Sequence, residues 1–122
     1  CCGTHAAGIT ARMSNAIQIS AAAGSQDEAN RIAAELIDRR LAGSVQIVGP
    51  ITSVYRWQGA VESADEWLCL IKTRREAYDQ VESAIRALHS HDCPEIIATP
   101  IVAGSADYLA WLKDQVDAGK GG

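Results

Sequence analysis

The sequence lacks the features that would place the protein in a membrane or on nucleic acid. No apolar window approaches the roughly 20 residues of a membrane-spanning helix, and no basic region precedes a long apolar run near the N-terminus. Lys and Arg number 11 against 15 Asp and Glu, and the basic residues are scattered between acidic ones. We therefore expect a cytoplasmic protein that has neither membrane nor nucleic acid as a partner.

The cysteines do not follow a metal-binding pattern. Cys1, Cys2, Cys69 and Cys93 include no CxxC pair and have no His at zinc-finger spacing, which argues against a structural zinc site. Adjacent cysteines such as Cys1 and Cys2 rarely bond to each other, and Cys69 lies inside an apolar run. We expect reduced thiols, as in a cytosolic protein.

Common catalytic motifs are also missing. The chain contains no GxSxG, P-loop, GxGxxG or HExxH motif. A nucleophile formed by Cys93 with His89 or His91 is conceivable, but adjacency in sequence supports it poorly. The sequence therefore predicts a protein that is not an enzyme.

The composition is that of one folded domain. The 122 residues are 48% hydrophobic and 21% charged, without any Phe. A chain of this length buries roughly two-thirds of the surface that it exposes when unfolded. Residues 1–14 show no periodicity, so we expect a flexible N-terminal extension, then the domain over residues 15–118 and a flexible tail over residues 119–122.

Helix signals occur three times. Residues 25–28 form a capping box ahead of an amphipathic stretch that ends at Gly43. Residues 73–76 form a second capping box, which predicts a helix that ends near His89. A third helix follows Ser105.

Strands occupy the rest of the domain. Residues 16–20 and 94–100 predict short strands, and Pro100 predicts that the outer part of the second lies at a sheet edge. Residues 44–73 are rich in β-branched and aromatic residues and predict one long hairpin that turns at Gln58-Gly59, with a bulge or bend at Pro50. The order β-α-β-β-α-β with a terminal helix predicts a ferredoxin-like fold of the α/β (α+β) class.

The predicted hairpin is too long for one small domain to cover. Each arm could hold a dozen residues, about 40 Å at about 3.3 Å per residue, and the central strands carry apolar side chains on both faces. We expect other subunits to cover these faces, although the residues alone do not fix the number of subunits.

The hairpin tip carries two candidate ligand-binding aromatic residues. Tyr55 and Trp57 share a strand face. If Gln58-Gly59 is a two-residue turn and no bulge lies between it and Tyr55, Tyr55 pairs with Glu62. These aromatic side chains either form the wall of a half-polar pocket or pack under a neighbouring subunit.

Two ionisable residues stand in an otherwise apolar segment of the same hairpin. Glu66 and Lys72 share a strand face, and charged groups in such surroundings need partners. They either form salt bridges, within or between subunits, or bind an anion or a metal.

The densest group of candidate metal ligands lies after the second predicted helix. Residues 89–95 contain two imidazoles, two carboxylates and a thiol, donors that suit copper or zinc. Their spacing matches no closed structural site. The alternative is that His89 caps the helix C-terminus and the other residues form a loop into the last strand.

Several of these segments, in this order, resemble the CutA divalent-cation tolerance family. The resemblance covers about residues 16–116 and rests on five motifs: Arg40-Leu41-Ala42-Gly43-Ser44, Ser53-x-Tyr55-x-Trp57-x-Gly59, Glu66 leading to Lys72-Thr73, His89 with Pro94-Glu95, and Tyr108-x-x-Trp111.

The resemblance implies a ferredoxin-like protomer that forms a tight homotrimer through the long hairpin. It also implies a role in tolerance to divalent cations, above all copper, and an architecture similar to that of PII signalling proteins. The resemblance does not firmly imply any enzymatic activity. The chain departs from the family at two places. Ser44 stands where the family commonly has a cysteine, and Ser90-His91 replaces a usual Pro-Tyr.

Two functional hypotheses follow from the resemblance. The first is a trimer that binds copper or another divalent cation weakly, with ligands chosen among His89, His91, Cys93 and Glu95. The alternative is a PII-like sensor that binds a small anionic ligand in the clefts between subunits, with Lys72 as a counter-charge. The candidate ligand-binding residues are Tyr55, Trp57, Glu66, Lys72, Tyr108 and Trp111.

Overall fold

The structure is a computed structural model that describes residues 15–90 and 93–117. The predicted flexible segments over residues 1–14 and 119–122 and the candidate ligand His91 lie outside the described residues. No helix in the two described ranges is long and apolar enough to cross a membrane.

The predicted element order is confirmed. Four strands form one antiparallel sheet in the order β2-β3-β1-β4, so β4 lies at an edge as Pro100 predicted. The strands are β1 (Ala16–Ala23), β2 (Ser44–Trp57), β3 (Ala60–Arg74) and β4 (Ile96–Pro100), and the helices are α1 (Gln26–Asp38), α2 (Tyr78–Leu88) and α3 (Ala106–Gln115).

The long hairpin forms as the sequence predicted. Its strands have 14 and 15 residues and meet at Gln58-Gly59, whose φ angles of 50° and 84° are the positive values that a tight hairpin turn needs. Tyr55 pairs with Glu62, which confirms the predicted register near the tip.

A bulge in β2 decides which hairpin residues face the core. The register shifts around the cis Gly49–Pro50 bond. Before the shift, Ile47 pairs with the buried Cys69; after it, Ile51 pairs with Glu66, three residues along β3 and therefore on the other side of the sheet. The aromatic residues of the tip consequently share the side of Glu66 and leave the side of the core.

The core lies between the sheet and the apolar stripes of the helices. Ile32 and Leu36 of α1 and Ile85 of α2 are at most 1% exposed, and they pack with Ile19 and Ile71 of the central strands. The three- and four-residue spacing of apolar residues therefore predicted the buried helix faces correctly.

The second predicted capping box is wrong. Thr73 belongs to β3, where it pairs with Ile17, and its buried hydroxyl donates a 2.6 Å hydrogen bond to the carbonyl of Leu41. A single turn of 3-10 helix, Arg75–Ala77, then leads into α2, which has no side-chain cap. Ladder hydrogen bonds to β1 hold this segment extended, and they outweigh a local helix signal.

The first helix ends earlier than the sequence predicted. α1 stops at Asp38, because Arg40 adopts a left-handed conformation with φ 57°, a common way for a helix to end. The amide of Gly43 then donates to the carbonyl of Lys72, so the chain has already joined the sheet. The predicted end of α2 is confirmed, since His89 is its C-cap.

The terminal helix α3 begins where the sequence placed it. Ser105 is its N-cap and accepts a hydrogen bond from the amide of Tyr108. Leu109 and Leu112 are buried against the rest of the core, so α3 belongs to the same domain.

Candidate functional site

A cleft of about 650 Å³ opens where the hairpin extends past the end of β1. Six of the candidate residues, from segments far apart in sequence, line this one cleft: Tyr55, Trp57, Glu66, His89, Cys93 and Glu95. Two separate parts of the chain supply them, the hairpin and the loop between α2 and β4. The cleft is therefore the best-supported binding site in the described part of the chain.

The position of His89 follows from the end of α2. Its side chain is 2% exposed and its Nε2 lies 2.7 Å from the carbonyl oxygen of Ala22. Because a carbonyl oxygen only accepts hydrogen bonds, this Nε2 carries a proton and donates it. A metal bound by His89 would therefore have to use Nδ1.

Glu28 is a site residue that the sequence did not predict. Its amide donates to Ser25 Oγ at 3.1 Å, as the capping box predicted, but its carboxylate is buried, with Oε2 3.4 Å from His89 Nε2. Burial, together with the negative charge of Glu28, raises the pKa of the Cys69 thiol to about 11. A Glu at the third helix position usually faces solvent, and nothing in the sequence distinguished this one.

Glu66 is held in the cleft by its neighbour on β2. Ser53 Oγ donates a 2.6 Å hydrogen bond to Glu66 Oε1, which orients the half-buried carboxylate. An adjoining pocket of about 410 Å³ shares Tyr55 and Glu66 with the cleft and adds Glu28 and Asp65. No Lys or Arg is among the described residues that line either space, so this part of the lining is acidic.

The described residues do not form a complete metal site. Residues 15–90 and 93–117 contain no group of three or more His, Cys, Asp or Glu side chains that could hold a metal ion. His89, Cys93 and Glu95 nevertheless line the same cleft. These three described donors do not form a closed structural site.

Three candidate residues lie elsewhere, at the opposite end of the hairpin. Lys72 Nζ donates to Gln46 Oε1 at 2.6 Å, and Lys72 pairs with Ser44 across the strands. The hydroxyl of Tyr108 lies 3.1 Å from that of Ser44, and the rings of Tyr108 and Trp111 are 5.5 Å apart. The structure thus divides the predicted ligand-binding residues into two separate groups.

Glu66 and Lys72 have uncharged partners in the structure. Six residues of strand separate them, about 20 Å at about 3.3 Å per residue, so they do not meet. The hydroxyl of Ser53 and the amide of Gln46 bind the two charged groups instead.

The chain is similar to known proteins over most of its length. The family model of the CutA1 divalent ion tolerance protein matches residues 17–115. The chain is 43% identical over 90 residues to the divalent-cation tolerance protein CutA of Thermus thermophilus, which covers 74% of this chain and 87% of that protein.

A plant relative and a solved structure extend the comparison. The chloroplastic protein CutA of Arabidopsis thaliana is 40% identical over 89 residues, which are 73% of this chain and about half of that protein, 49%. The structure of the periplasmic divalent cation tolerance protein CutA from Archaeoglobus fulgidus matches with a TM-score of 0.81 at 37% identity, over 84% of this chain and 99% of that one.

Proposed function

The chain belongs to the CutA1 divalent ion tolerance protein family, and we propose that it acts in divalent-cation tolerance by binding copper or another divalent cation weakly in the cleft. The observation that carries this proposal is that His89, Cys93 and Glu95 all line the cleft. An imidazole, a thiol and a carboxylate are the donors that suit copper and zinc. The role is a non-catalytic one.

The donors of the cleft support weak and reversible binding. Nε2 of His89 donates to Ala22 and the His89 side chain is 2% exposed, whereas Cys93 and Glu95 are exposed. A flexible, partly exposed donor set loses conformational freedom when it binds a metal, which lowers the affinity. Such a site suits a protein that responds to excess metal more than one that holds a permanent ion.

We further propose that the protein is a homotrimer. On the side of the sheet away from the core, Ile97 and Val48 are 54% and 45% exposed. On the other side, near the hairpin tip, Val54 and Val61 are 67% and 65% exposed. Apolar faces and long edge strands of this kind are usually covered in an assembly. Light scattering should give three times the 13.0 kDa mass of the chain, and a monomer at micromolar concentration would contradict the proposal.

The described lining of the cleft does not favour the alternative of a small anionic ligand. Lys72, its expected counter-charge, donates to Gln46 at the other end of the hairpin, and carboxylates line the cleft. A cytoplasmic location stays a prediction, since the relatives differ: one is named chloroplastic and another periplasmic.

The metal proposal is tested by copper and zinc titration of EDTA-treated protein. Cys1 and Cys2 are replaced by Ser in every variant, because their thiols would bind copper themselves. His89→Gln is the informative change, because the amide nitrogen of Gln can still donate to Ala22 while the imidazole is lost. We expect the affinity of this variant for copper and zinc to fall about tenfold or more, which corresponds to a loss of about 1.4 kcal/mol of binding free energy per tenfold.

Two further variants and a control complete the test. Cys93→Ser and Glu95→Gln change exposed side chains, so a fall in affinity there cannot come from loss of the fold. Glu35→Gln, on the outer surface of α1, should bind metal as the parent does. If His89→Gln, Cys93→Ser and Glu95→Gln all bind metal with the affinity of the parent, the metal does not bind in this cleft.

A further inference from the structure

The cleft combines aromatic walls with carboxylates. Tyr55 and Trp57 are 44% and 54% exposed, and they line the cleft together with Glu66 and Glu95. The face of an aromatic ring carries negative partial charge and attracts cations, most strongly in Trp. Both kinds of wall therefore favour a ligand with positive charge.

The carboxylate of Glu66 is oriented but not neutralised. Ser53 fixes one oxygen through the 2.6 Å hydrogen bond, and none of the ion pairs in the described part of the chain involves Glu66. A half-buried carboxylate without a counter-ion gains free energy when a cation binds beside it. This residue is therefore prepared to receive a positive group.

A buried carboxylate adds negative charge beside the cleft. The Glu28 side chain is 5% exposed, and its Oε2 lies 3.4 Å from Nε2 of His89. Glu28 lines the adjoining pocket, which shares Tyr55, Glu66 and Ser90 with the cleft. The carboxylate of Glu28 therefore favours a ligand with positive charge in that pocket.

The size of the cleft and the pocket also suits an organic cation. A metal needs several donors that converge on one point, and residues 15–90 and 93–117 contain no group of three such donors. The cleft and the pocket, at about 650 and 410 Å³, are also much larger than a single ion. An elongated cation can instead contact separate carboxylates while its methylene groups lie on the aromatic rings.

We propose that this cleft binds a linear aliphatic diamine or polyamine. One ammonium group pairs with Glu66, the methylene chain lies against Tyr55 and Trp57, and a second ammonium group reaches another carboxylate of the cleft or the adjoining pocket. This ligand does not require a bound metal, so the inference goes beyond metal tolerance and does not depend on it.

The test uses the full chain, treated with EDTA, and 1,4-diaminobutane as the probe. Indole N–H signals in nuclear magnetic resonance spectra report on each Trp during the titration. We expect a saturable shift of the Trp57 signal below about 10 mM, and no comparable shift for Trp111 at the other end of the hairpin. The neutral analogue 1,4-butanediol should give no saturable shift.

Matched variants assign the binding groups. Glu66→Gln and Trp57→Leu should each weaken diamine binding about fivefold or more, whereas Glu35→Gln and Trp111→Leu should bind as the parent does. In the Trp57→Leu variant the titration is followed by calorimetry. A thermal melt shows whether each variant is still folded.

Several outcomes would overturn the inference. One is the absence of a saturable shift in the parent protein, which would result if a side chain of another subunit filled the cleft. The others are an equal response to butanediol and an unchanged affinity for the diamine in either Glu66→Gln or Trp57→Leu. Copper titration gives a separate answer. Diamine binding without copper binding would contradict only the metal proposal.

Discussion

The buried thiol of Cys69 makes the stability of the fold dependent on alkaline pH. Cys69 is 0% exposed, and burial, followed by the charge of Glu28, raises its pKa from 9.0 to about 11. An acid whose pKa is higher in the folded state stabilises the fold fully below its unfolded pKa and loses that contribution as pH rises through the folded pKa. The loss should therefore fall between pH 9 and pH 11.

The size of the effect follows from the shift. A difference of about two pKa units corresponds to about 3 kcal/mol in the free energy of unfolding, at 1.36 kcal/mol per unit. The assay is chemical denaturation with a reductant, at fixed protein concentration, for the parent and for Cys69→Ala. Because Tyr and Lys titrate in both proteins, the stability difference between them isolates Cys69.

The expected result is a pH-dependent difference. Below pH 9 the free energy of unfolding of the parent should exceed that of Cys69→Ala by a constant amount. Above pH 9 this difference should shrink by up to about 3 kcal/mol. The ultraviolet absorbance of the thiolate, measured with Cys1, Cys2 and Cys93 replaced by Ser, should rise only near pH 11. A stability difference that stays constant through pH 11 would refute the reasoning.

Two further predictions concern packing. Thr73→Val should lower the free energy of unfolding by about 1–3 kcal/mol, because it leaves the buried carbonyl of Leu41 without its hydroxyl donor. Thr73→Ser keeps the hydroxyl and should lower it by only about 1 kcal/mol. Denaturant titration measures both variants, and a Thr73→Val variant as stable as the parent would contradict the hydrogen bond. Gly49→Ala should cost about 1–3 kcal/mol, because a Cβ there would overlap the indole ring of Trp67. In a thermodynamic cycle with Trp67→Leu, most of that cost should disappear, and strictly additive effects would argue against the overlap.

Local patterns predicted most of the secondary structure because each rested on short-range physics. The φ angles required at Gln58-Gly59 fixed the hairpin turn, and the helical spacing of apolar residues identified the faces that hold Ile32 and Ile85. The prediction of a bulge at Pro50 succeeded for the same reason, since Pro has no amide proton for the ladder.

The wrong predictions arose where distant contacts overrode a local signal. Residues 73–76 have the letters of a capping box, but Thr73 lies in the ladder with β1 and binds Leu41. The first helix ends at Asp38, because Arg40 turns left-handed and the chain then joins the sheet. No local pattern contains the partner strand, so no local pattern could have predicted either result.

For the cleft, the sequence determined which kinds of side chain are present, and the tertiary structure decided which of them meet. His89, Cys93 and Glu95 were candidates because of their chemistry, and the motifs of the hairpin added Tyr55 and Trp57. The two segments come together only because β3 pairs with β1 and the bulge turns the hairpin tip away from the core side.

The tertiary structure also places Lys72 away from the cleft and Glu28 beside His89. Periodicity and turn chemistry act over a few residues, so the sequence by itself determined the elements of this protein. Only the tertiary structure decided its site, because the site depends on contacts between residues that are dozens of positions apart.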